Sequence, residues 1–251
     1  MGEVLGAHEE GPLSARYQKE IFGNYFETTD SEYLRVHRGN QESYEDNFAD
    51  LLPADKTAKI LEIGCGAGQL LWYLKSKGYE NILGVDVGQT QIDLVKRLGI
   101  DGRVISSIPE FLSDKRGTYD LIVMNAVIEH FTKQELWDNL RAIHGALKGG
   151  GSVVFSTPNM ACLSSGFQRY IDFTHETGFT ERSAYEVMRI TGFKEIVLRP
   201  DRIKLKPRPR RVVWWAFNKL WYALLKFLYY IERGDDRPKI VSRLLIVTGK
   251  K

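Results

Sequence analysis

Cysteine and net charge are both scarce in this chain of 251 residues, and its N-terminus lacks the features of a leader. The two cysteines, Cys65 and Cys162, have no metal-ligand spacing, so a reduced, cytosolic protein is expected. The opening residues MGEVLGAHEEG are acidic, without a basic flank or an apolar stretch, which predicts that there is no signal peptide. A net charge of only +3 gives no electrostatic reason to expect a nucleic-acid partner.

Short apolar runs alternate with helical patterns from Ala58 onward. The runs AKILEI, NILGVDV, GRVISS, YDLIVMNAV, GSVVFSTPN, FKEIVLRP and SRLLIVTG read as seven strands. Thr132 with Glu135 predicts a capping box at one intervening helix, and Thr180 predicts the cap of another. Continuous apolar strands between helices are buried on both faces. The pattern therefore predicts an α/β, Rossmann-like, mostly parallel sheet with helices on both faces.

The rhythm of strands and helices divides the chain into four parts. Residues 1–57 form a predicted helical lead-in or cap, and residues 58–202 form the core. Within that core, residues 160–180 are a long polar and aromatic connection, which predicts a lid or binding loop. Residues 203–240 are a basic, aromatic helical insertion, and residues 241–251 supply the last core strand.

A glycine run follows the first strand, in ILEIGCGAGQL. Gly64 and Gly66 fit the first two positions of a dinucleotide fingerprint, but the third position is Gln69. The adjacent Glu62 would also repel a pyrophosphate, whereas it suits a cationic ligand. Asp86 ends the second strand, where a carboxylate can accept hydrogen bonds from both hydroxyls of a ribose. These positions predict a site for a positively charged nucleoside.

The segments LEIGCGAG, GVDV, YDLIVMNAVIEHF and LKGGGSVVFSTPN together resemble the class I S-adenosylmethionine-dependent methyltransferases. The resemblance implies S-adenosylmethionine as cofactor and a seven-stranded sheet whose last strand is antiparallel. It implies that the glycine run faces the methionine part, that Glu62 lies near the ammonium group and that Asp86 holds the ribose. The residues for which it implies cofactor contact are Glu62, Gly64, Cys65, Gly66, Gly68, Asp86, Val87, Ser107 and Asn125, where Ser107 (or Ser106) replaces an acid that reads the adenine.

Histidines are the candidates for activating an acceptor. A sulfonium methyl needs only an aligned nucleophile, but an alcohol must lose its proton as it attacks. His130 follows the fourth strand, and His175 lies in the long connection within RYIDFTH. This run resembles a subset of bacterial methyltransferases encoded with surface-polysaccharide genes, which implies a sugar hydroxyl as acceptor. We expect His175 to be the general base and Asp172 to orient it or to bind a sugar hydroxyl; the alternative is that Asp172, Thr174 and His175 only fasten the lid.

The Glu129–His130 pair resembles that of ubiquinone-type O-methyltransferases, where such residues are linked to magnesium. Those proteins place another acid three or four residues earlier, where this chain has Asn125 and Ala126. No metal is therefore expected, and His130 is expected to pack beside the cofactor or to serve as base for a smaller acceptor. Substrate contacts are expected at Glu129, Arg169, Tyr170 and Thr174.

Two motif absences argue against methylation of nucleic-acid bases. Adenine N-methylation uses an Asn/Asp-Pro-Pro-aromatic run after the fourth strand, and the chain has NAVI there. Cytosine methylation needs a Pro-Cys pair, which the chain lacks. An RNA-binding methyltransferase that grips phosphates with KLKPRPRR is the lesser alternative, and it predicts salt-sensitive binding.

The insertion joins a basic lead, residues 204–211, to an apolar stretch, residues 212–231. On a helix, Lys219 and Lys226 share one stripe flanked by two tyrosines, opposite a face expected to hold Trp214, Phe217, Trp221, Leu224, Leu225 and Leu228. Two lysines near mid-span disfavour a transmembrane helix. We expect residues 204–232 to form a peripheral membrane contact; a homodimer interface or a cover for the protein's own sheet are the alternatives.

The sequence thus predicts an O-methyltransferase for a sugar hydroxyl of a bacterial surface glycan or its lipid-linked precursor. Methylation of a quinone-like or other small metabolite is the alternative. The expected location is the cytoplasm, at the inner face of the cell membrane if the insertion binds lipid.

Overall fold

The structure, a computed structural model, describes residues 40–202 and 209–251, apart from the side chains of residues 209–211 and 214. Most of the predicted lead-in, residues 1–39, and most of the basic lead lie outside the described residues.

Seven strands form one sheet in the spatial order β3-β2-β1-β4-β5-β7-β6. Strands β1 to β5 pair in parallel, whereas β7 runs antiparallel between β5 and β6. The predicted mostly parallel sheet with an antiparallel last strand is confirmed. The strands are β1 (Ile60–Ile63), β2 (Ile82–Asp86), β3 (Asp101–Val104), β4 (Tyr119–Asn125), β5 (Leu147–Pro158), β6 (Lys194–Pro200) and β7 (Leu244–Lys250).

Successive residues of a strand point to opposite sides of the sheet, so that both faces present apolar side chains. Helices cover both faces. Leu121 and Val123 pack with one apolar cluster, whereas Ile122 and Met124 pack with the other. The helices are α1 (40–47), α2 (Gln69–Ser76), α3 (Gln89–Arg97), α4 (Ile108–Leu112), α5 (Lys133–Ala146), α6 (Ser165–Tyr170), α7 (Glu181–Ile190) and α8 (Pro209–Arg233).

The two predicted helix caps are confirmed. Thr132 and Glu135 form the reciprocal capping box of α5. Thr180 caps α7 in the same manner with Ser183 as its partner. Each box satisfies backbone N–H groups that a helix start leaves without an intrahelical partner.

Two short helices were not predicted from the sequence. Helix α4 follows β3, and α6 lies inside the long connection that the sequence presents as a loop. The lead-in also contributes to the core, since Tyr44 and Phe48 pack in the same apolar cluster as Ile60 of β1. Residues 40–48 therefore form part of the wall around the carboxyl ends of the strands.

Helix α8 contacts the rest of the protein through a narrow face. Leu225 is buried, and Asn218, Tyr222 and Tyr229 are half-buried. Within the predicted apolar face, Leu225 packs against the protein, whereas Phe217, Trp221, Leu224 and Leu228 are exposed. The large apolar residues exposed along α8 are Val212, Val213, Trp215, Phe217, Leu220, Trp221, Leu224, Phe227, Leu228 and Ile231. None of the described helices combines the length and apolar character needed to cross a lipid bilayer.

Candidate active site

A cavity of about 380 Å³ opens at the carboxyl ends of β1, β2 and β4. This end of a doubly wound sheet is where ligands bind. Among the residues predicted to contact a cofactor, Glu62, Gly64, Cys65, Gly66, Asp86, Val87 and Asn125 line the cavity. The loops after three adjacent strands thus supply one continuous wall.

The glycine turn after β1 is shaped by backbone conformations that favour glycine. Gly64 and Gly66 have φ values of 68° and 50°. A Cβ on Gly64 would stand 2.4 Å from Val127 Cγ2, in the turn after β4. Gly68 does not line the cavity; its φ of 80° serves the N-cap of α2, where a Cβ would meet Val95 at 3.0 Å. The run therefore combines a close approach of two loops with a helix start.

Glu62 is 3% exposed at the base of the cavity. Its Oε2 atom is buried and has no hydrogen-bond partner among the described residues. Burial, followed by the neighbouring Asp86, raises the pKa of Glu62 well above its ordinary value. A buried carboxyl group with an unused oxygen suits a cationic ligand, whose charge would favour the ionised form.

Asp86 spans two loops with its carboxylate. Its Oδ2 accepts a hydrogen bond of 2.8 Å from the Gly66 N–H, and its Oδ1 accepts one of 3.0 Å from the Gly88 N–H. Burial raises the pKa of Asp86 despite these bonds. The carboxylate is thereby held at the edge of the cavity, where its remaining lone pairs can accept two hydroxyl groups.

The part of the first cavity that could take a flat aromatic group such as adenine has an apolar wall. Ile105 and Ile108 line the cavity beside Asp86 and Val87. Ser107, expected to contact the cofactor, instead caps α4 by accepting from the Glu110 N–H, and Ser106 donates to the Glu110 carboxylate at 3.2 Å. A serine directly before Ile-Pro-Glu is a helix-cap signal, and this signal could have identified its role.

Several cavity residues were missed by sequence reasoning. Tyr44 reaches the cavity from the lead-in helix, and burial with neighbouring Glu62 raises its pKa. Gln69, Gln91 and Val127 complete the wall. No local motif marks Tyr44, because only the packing of α1 against α2 brings it near Glu62.

The opposite wall holds a cluster of titratable side chains. Glu129 is 3% exposed, and burial raises its pKa to about 8. Burial and then the neighbouring His175 lower the pKa of His130 to about 4. The ring centroids of His130 and His175 are 4.9 Å apart. These three residues meet where the lid crosses the turn after β4, and their donor atoms all lie within 4.8 Å of one another.

Asp172 orients His130, not His175. Its Oδ1 accepts from the Thr174 hydroxyl at 2.7 Å, and the same hydroxyl lies 2.8 Å from His130 Nδ1. His175 Nδ1 instead lies 2.9 Å from the carbonyl oxygen of Gln168. Burial opposes ionisation of Asp172, but the hydrogen bonds from Thr174 lower its pKa. The expected Asp172–His175 pair is therefore replaced by an Asp172–Thr174–His130 chain.

Two residues expected to bind substrate have different environments: one contacts the lid backbone and the other faces solvent. The Arg169 guanidinium donates to the carbonyl oxygens of His175 and Glu176 and so braces the lid. Tyr170 is 80% exposed. Further bonds fasten the lid, since the N–H groups of Glu176 and Thr177 donate to the Glu129 carbonyl oxygen at 2.8 and 3.0 Å. The lid-fastening alternative named Asp172, Thr174 and His175, and these residues do bond within the lid: the Thr174 N–H donates to Asp172 Oδ1 at 2.8 Å, and His175 Nδ1 contacts the Gln168 carbonyl oxygen. Arg169, expected to bind substrate, braces the lid as well.

A second cavity of about 400 Å³ adjoins the first. Tyr44, Asn125, Ala126, Glu129 and His175 line both cavities. Ala126 has a φ of 57°, a strained value for a residue with a side chain, at this shared wall. The other polar residues around the second cavity are Asn40, Ser43, Asn47, Ser156, Thr157, Gln168, Asp201, Arg202 and Arg243.

S-Adenosylmethionine fits the first cavity. The unpartnered Glu62 oxygen suits its ammonium group, the glycine turn leaves room for its methionine part, and Asp86 suits its ribose diol. Its adenine would lie between the isoleucines. The methyl group then belongs at the wall shared with the second cavity.

Comparisons with known proteins agree with this fit. A family model described as a methyltransferase domain matches residues 36–198. The chain is 34% identical over 123 residues to a ubiquinone biosynthesis O-methyltransferase of Bartonella tribocorum, covering 47% of each chain. It is 33% identical over 148 residues to a malonyl-[acyl-carrier protein] O-methyltransferase of Priestia megaterium, covering 58% of this chain and 52% of that protein. The chain thus spans about half the length of these curated relatives.

Solved structures show the same fold. A SAM-dependent methyltransferase from Archaeoglobus fulgidus superposes with a TM-score of 0.61 at 18% identity, over 92% of this chain and 99% of that one. Phosphoethanolamine N-methyltransferase 2 of Haemonchus contortus, solved with S-adenosyl-L-methionine, has a TM-score of 0.54 at 17% identity, over 94% of this chain and 56% of that one. At these identities the likeness concerns the fold.

Proposed function

The chain belongs to the S-adenosylmethionine-dependent methyltransferases, and from that premise we propose that it methylates a hydroxyl oxygen of a sugar in a bacterial surface glycan or its lipid-linked precursor. The acceptor O–H loses its proton as the oxygen forms a bond to the methyl carbon. The carbon–sulfur bond breaks in the same step, and the sulfur leaves as a neutral thioether.

The shared wall between the two cavities carries this proposal. An acceptor in the second cavity would meet the methyl group beside Glu129 and His175, which line both cavities. His175 Nδ1 faces a carbonyl oxygen and therefore carries the hydrogen, so the neutral ring keeps a lone pair on Nε2. Turnover is expected to depend most strongly on His175. The neighbouring His130 is expected to contribute less.

The polarity of the second cavity favours a polyhydroxylated acceptor. Amide, hydroxyl and guanidinium groups surround it, including Asn40, Ser43, Gln168 and Arg243. Several donors and acceptors at fixed positions can bind adjacent sugar hydroxyls, whereas an apolar quinone ring would leave them without partners.

Methylation of a small metabolite is the second candidate. It is supported by the relatives, because the Bartonella tribocorum protein is named for ubiquinone biosynthesis. The relatives named above are both O-methyltransferases, which favours oxygen as the acceptor atom in either case.

Helix α8 supports an acceptor that is attached to lipid. Phe217, Leu220, Leu224 and Phe227 lie at i, i+3 and i+4 spacing and are 44–67% exposed. Residues 204–233 contain eight lysines and arginines against one glutamate. An apolar helix face with a basic surround suits an anionic lipid surface, where the apolar groups enter the headgroup region.

A transfer assay tests the proposed reaction. Wild-type protein with methyl-labelled S-adenosylmethionine should label extracted glycans or glycolipids, and the label should survive mild base, as an ether does. His175→Ala should abolish labelling without weakening cofactor binding, and His144→Ala, a histidine away from both cavities, is the matched control. Labelling of catechols or quinols alone would establish the small-metabolite alternative.

Vesicle sedimentation tests the membrane contact separately. The protein should bind vesicles that contain phosphatidylglycerol more tightly than vesicles of phosphatidylcholine. Replacing Leu220, Leu224 and Phe227 together by serine should weaken this binding, whereas Trp137→Ser, an exposed aromatic on α5, should leave it unchanged. A dimer of the wild-type protein that the triple variant dissociates, without any vesicle binding, would identify α8 as a subunit interface instead.

A further inference from the structure

The titratable cluster at the shared wall has the composition of a metal site. Glu129, His130 and His175 each offer one ligand atom, and these atoms lie within 4.8 Å of one another. We propose that these three side chains bind one divalent transition-metal ion between the cofactor cavity and the second cavity. The part of this ion in catalysis rests on the proposed function, whereas its binding does not.

Hydrogen bonds fix both imidazoles in the tautomer that a metal requires. His175 Nδ1 lies 2.9 Å from the Gln168 carbonyl oxygen, and His130 Nδ1 lies 3.2 Å from the Thr174 carbonyl oxygen. A carbonyl oxygen can only accept, so each Nδ1 carries the hydrogen and each Nε2 carries the lone pair. Metal-binding histidines are typically held by such a bond from the second ring nitrogen.

The third ligand is a buried carboxyl group with one unpartnered oxygen. Glu129 Oε2 is buried and has no hydrogen-bond partner among the described residues. A buried, unpaired oxygen is costly unless a cation or a donor reaches it. Asp172 adds a second carboxylate behind His130, through the Thr174 hydroxyl. Two carboxylates around two neutral imidazoles balance the charge of a divalent ion.

The ligands are held together before any ion arrives. The N–H groups of Glu176 and Thr177 donate to the backbone carbonyl oxygen of Glu129, and the Thr177 hydroxyl donates to the Phe131 carbonyl oxygen at 2.7 Å. These bonds fasten the lid segment that carries His175 to the turn that carries the other two ligands. Binding therefore requires little loss of chain freedom.

The ligand set selects among ions. Two imidazoles and one carboxylate suit Zn²⁺, Mn²⁺, Fe²⁺ or Co²⁺, whereas Mg²⁺ prefers oxygen ligands. Three protein ligands leave coordination positions open, as in catalytic sites. An acceptor hydroxyl on the ion would have a lowered pKa. Because both Nε2 atoms would then bind the ion, the proton would pass to solvent, and not to His175, as the oxygen takes the methyl group.

The expectation that no metal is needed rested on Asn125 and Ala126, which stand where ubiquinone-type proteins have an acid. The structure brings His175 from the distant lid to the pair Glu129–His130. A search for an acid close in the sequence could not find this ligand.

Cobalt titration of the full chain tests the site without using turnover. Chelator-treated wild-type protein should bind one equivalent of Co²⁺ with visible absorption bands, and Zn²⁺ should displace it while Mg²⁺ should not. His175→Ala and Glu129→Gln should each weaken Co²⁺ binding by at least tenfold. His144→Ala should bind Co²⁺ as the wild type does, and thermal unfolding of each variant shows whether it is folded at the temperature of the titration.

Two results would overturn the metal site. One is that the wild type binds no stoichiometric Co²⁺; the other is that His175→Ala and Glu129→Gln bind Co²⁺ as tightly as the wild type does. If chelator-treated protein binds no Co²⁺ and still labels hydroxyl acceptors at the full rate, the metal site fails and the proposed function stands. If one equivalent of Co²⁺ binds through these residues but no hydroxyl acceptor is labelled, the metal site stands and the proposed function fails.

Discussion

Replacing Asp86 by alanine should weaken S-adenosylmethionine binding more than any single change elsewhere in the first cavity. The carboxylate is fixed by the N–H groups of Gly66 and Gly88, at 2.8 and 3.0 Å, so that its orientation toward the ribose is set before the cofactor binds. Truncation removes the acceptor for both ribose hydroxyls and also frees the two loops that form the cavity edge.

The magnitude follows from the two hydrogen bonds. A hydrogen bond to a charged group contributes about 1.5–3 kcal/mol. Water can enter the space that the side chain leaves, so the lower end applies, and two bonds give about 3 kcal/mol. This corresponds to a loss of affinity on the order of 100-fold. The neutral product S-adenosylhomocysteine should lose a similar factor, because it has the same ribose.

Isothermal titration calorimetry with both nucleosides measures this loss. Asp93→Ala is the matched control, because Asp93 is an exposed aspartate on α3 whose side chain accepts from Gln89. Thermal unfolding of each variant shows whether it is folded at the temperature of the titration. A folded Asp86→Ala protein that binds both nucleosides within about threefold of the wild type would refute the assignment of Asp86 to the ribose.

Three further predictions concern the walls of the two cavities. The folded protein keeps a proton on Glu62 that the unfolded chain releases near pH 4.5. The stability of the cofactor-free protein to urea should therefore fall as pH rises above that value, and Glu62→Gln should make the fall shallower while weakening cofactor binding. Gly64→Ala should destabilise the protein by about 2–4 kcal/mol, because it adds a clash with Val127 to the backbone strain. Gly78→Ala, which has a φ of 84° but no neighbour within 4 Å, should cost only about 1–2 kcal/mol in the same denaturation assay. Arg243→Ala should raise the KM for the acceptor about fivefold, because a hydrogen bond at the exposed rim of the second cavity is lost. The Kd for the cofactor should stay unchanged, and Arg182→Ala is the control. A changed cofactor Kd would contradict this separation of the two cavities.

The cofactor cavity was predictable because its features are local in the sequence. Glu62 and Asp86 end adjacent parallel strands, and such strand ends meet at one edge of a sheet. The glycines that follow Glu62 predict a tight turn from composition alone. Strand continuity, helix caps and turn residues therefore sufficed to predict the sheet and this edge of it.

The acceptor side was less predictable because it depends on long-range packing. The sequence shows that Asp172 and His175 lie close together, but it cannot show that Thr174 turns Asp172 toward His130. Tyr44 likewise enters the cavity only because α1 packs on α2, where the rings of Tyr44 and Tyr73 have centroids 5.8 Å apart. Helical spacing predicted an apolar face on α8, but spacing alone does not say that the stripe through Asn218, Tyr222, Leu225 and Tyr229 meets the protein.

The two cavities differ in how many of their lining residues lie within the family match, and this difference bears on the choice of acceptor. The family match spans residues 36–198, which include all the described residues that line the cofactor cavity. Arg202, Arg243, Leu244 and Ile246 line the second cavity but lie beyond that range. The names of similar proteins differ widely: a ubiquinone biosynthesis O-methyltransferase, a malonyl-[acyl-carrier protein] O-methyltransferase and a tRNA U34 carboxymethyltransferase. Under the proposed function, the common edge of the sheet would supply the methyl group, and the segments that line the second cavity, from α1, the lid and the region between β6 and β7, would decide which oxygen reaches it.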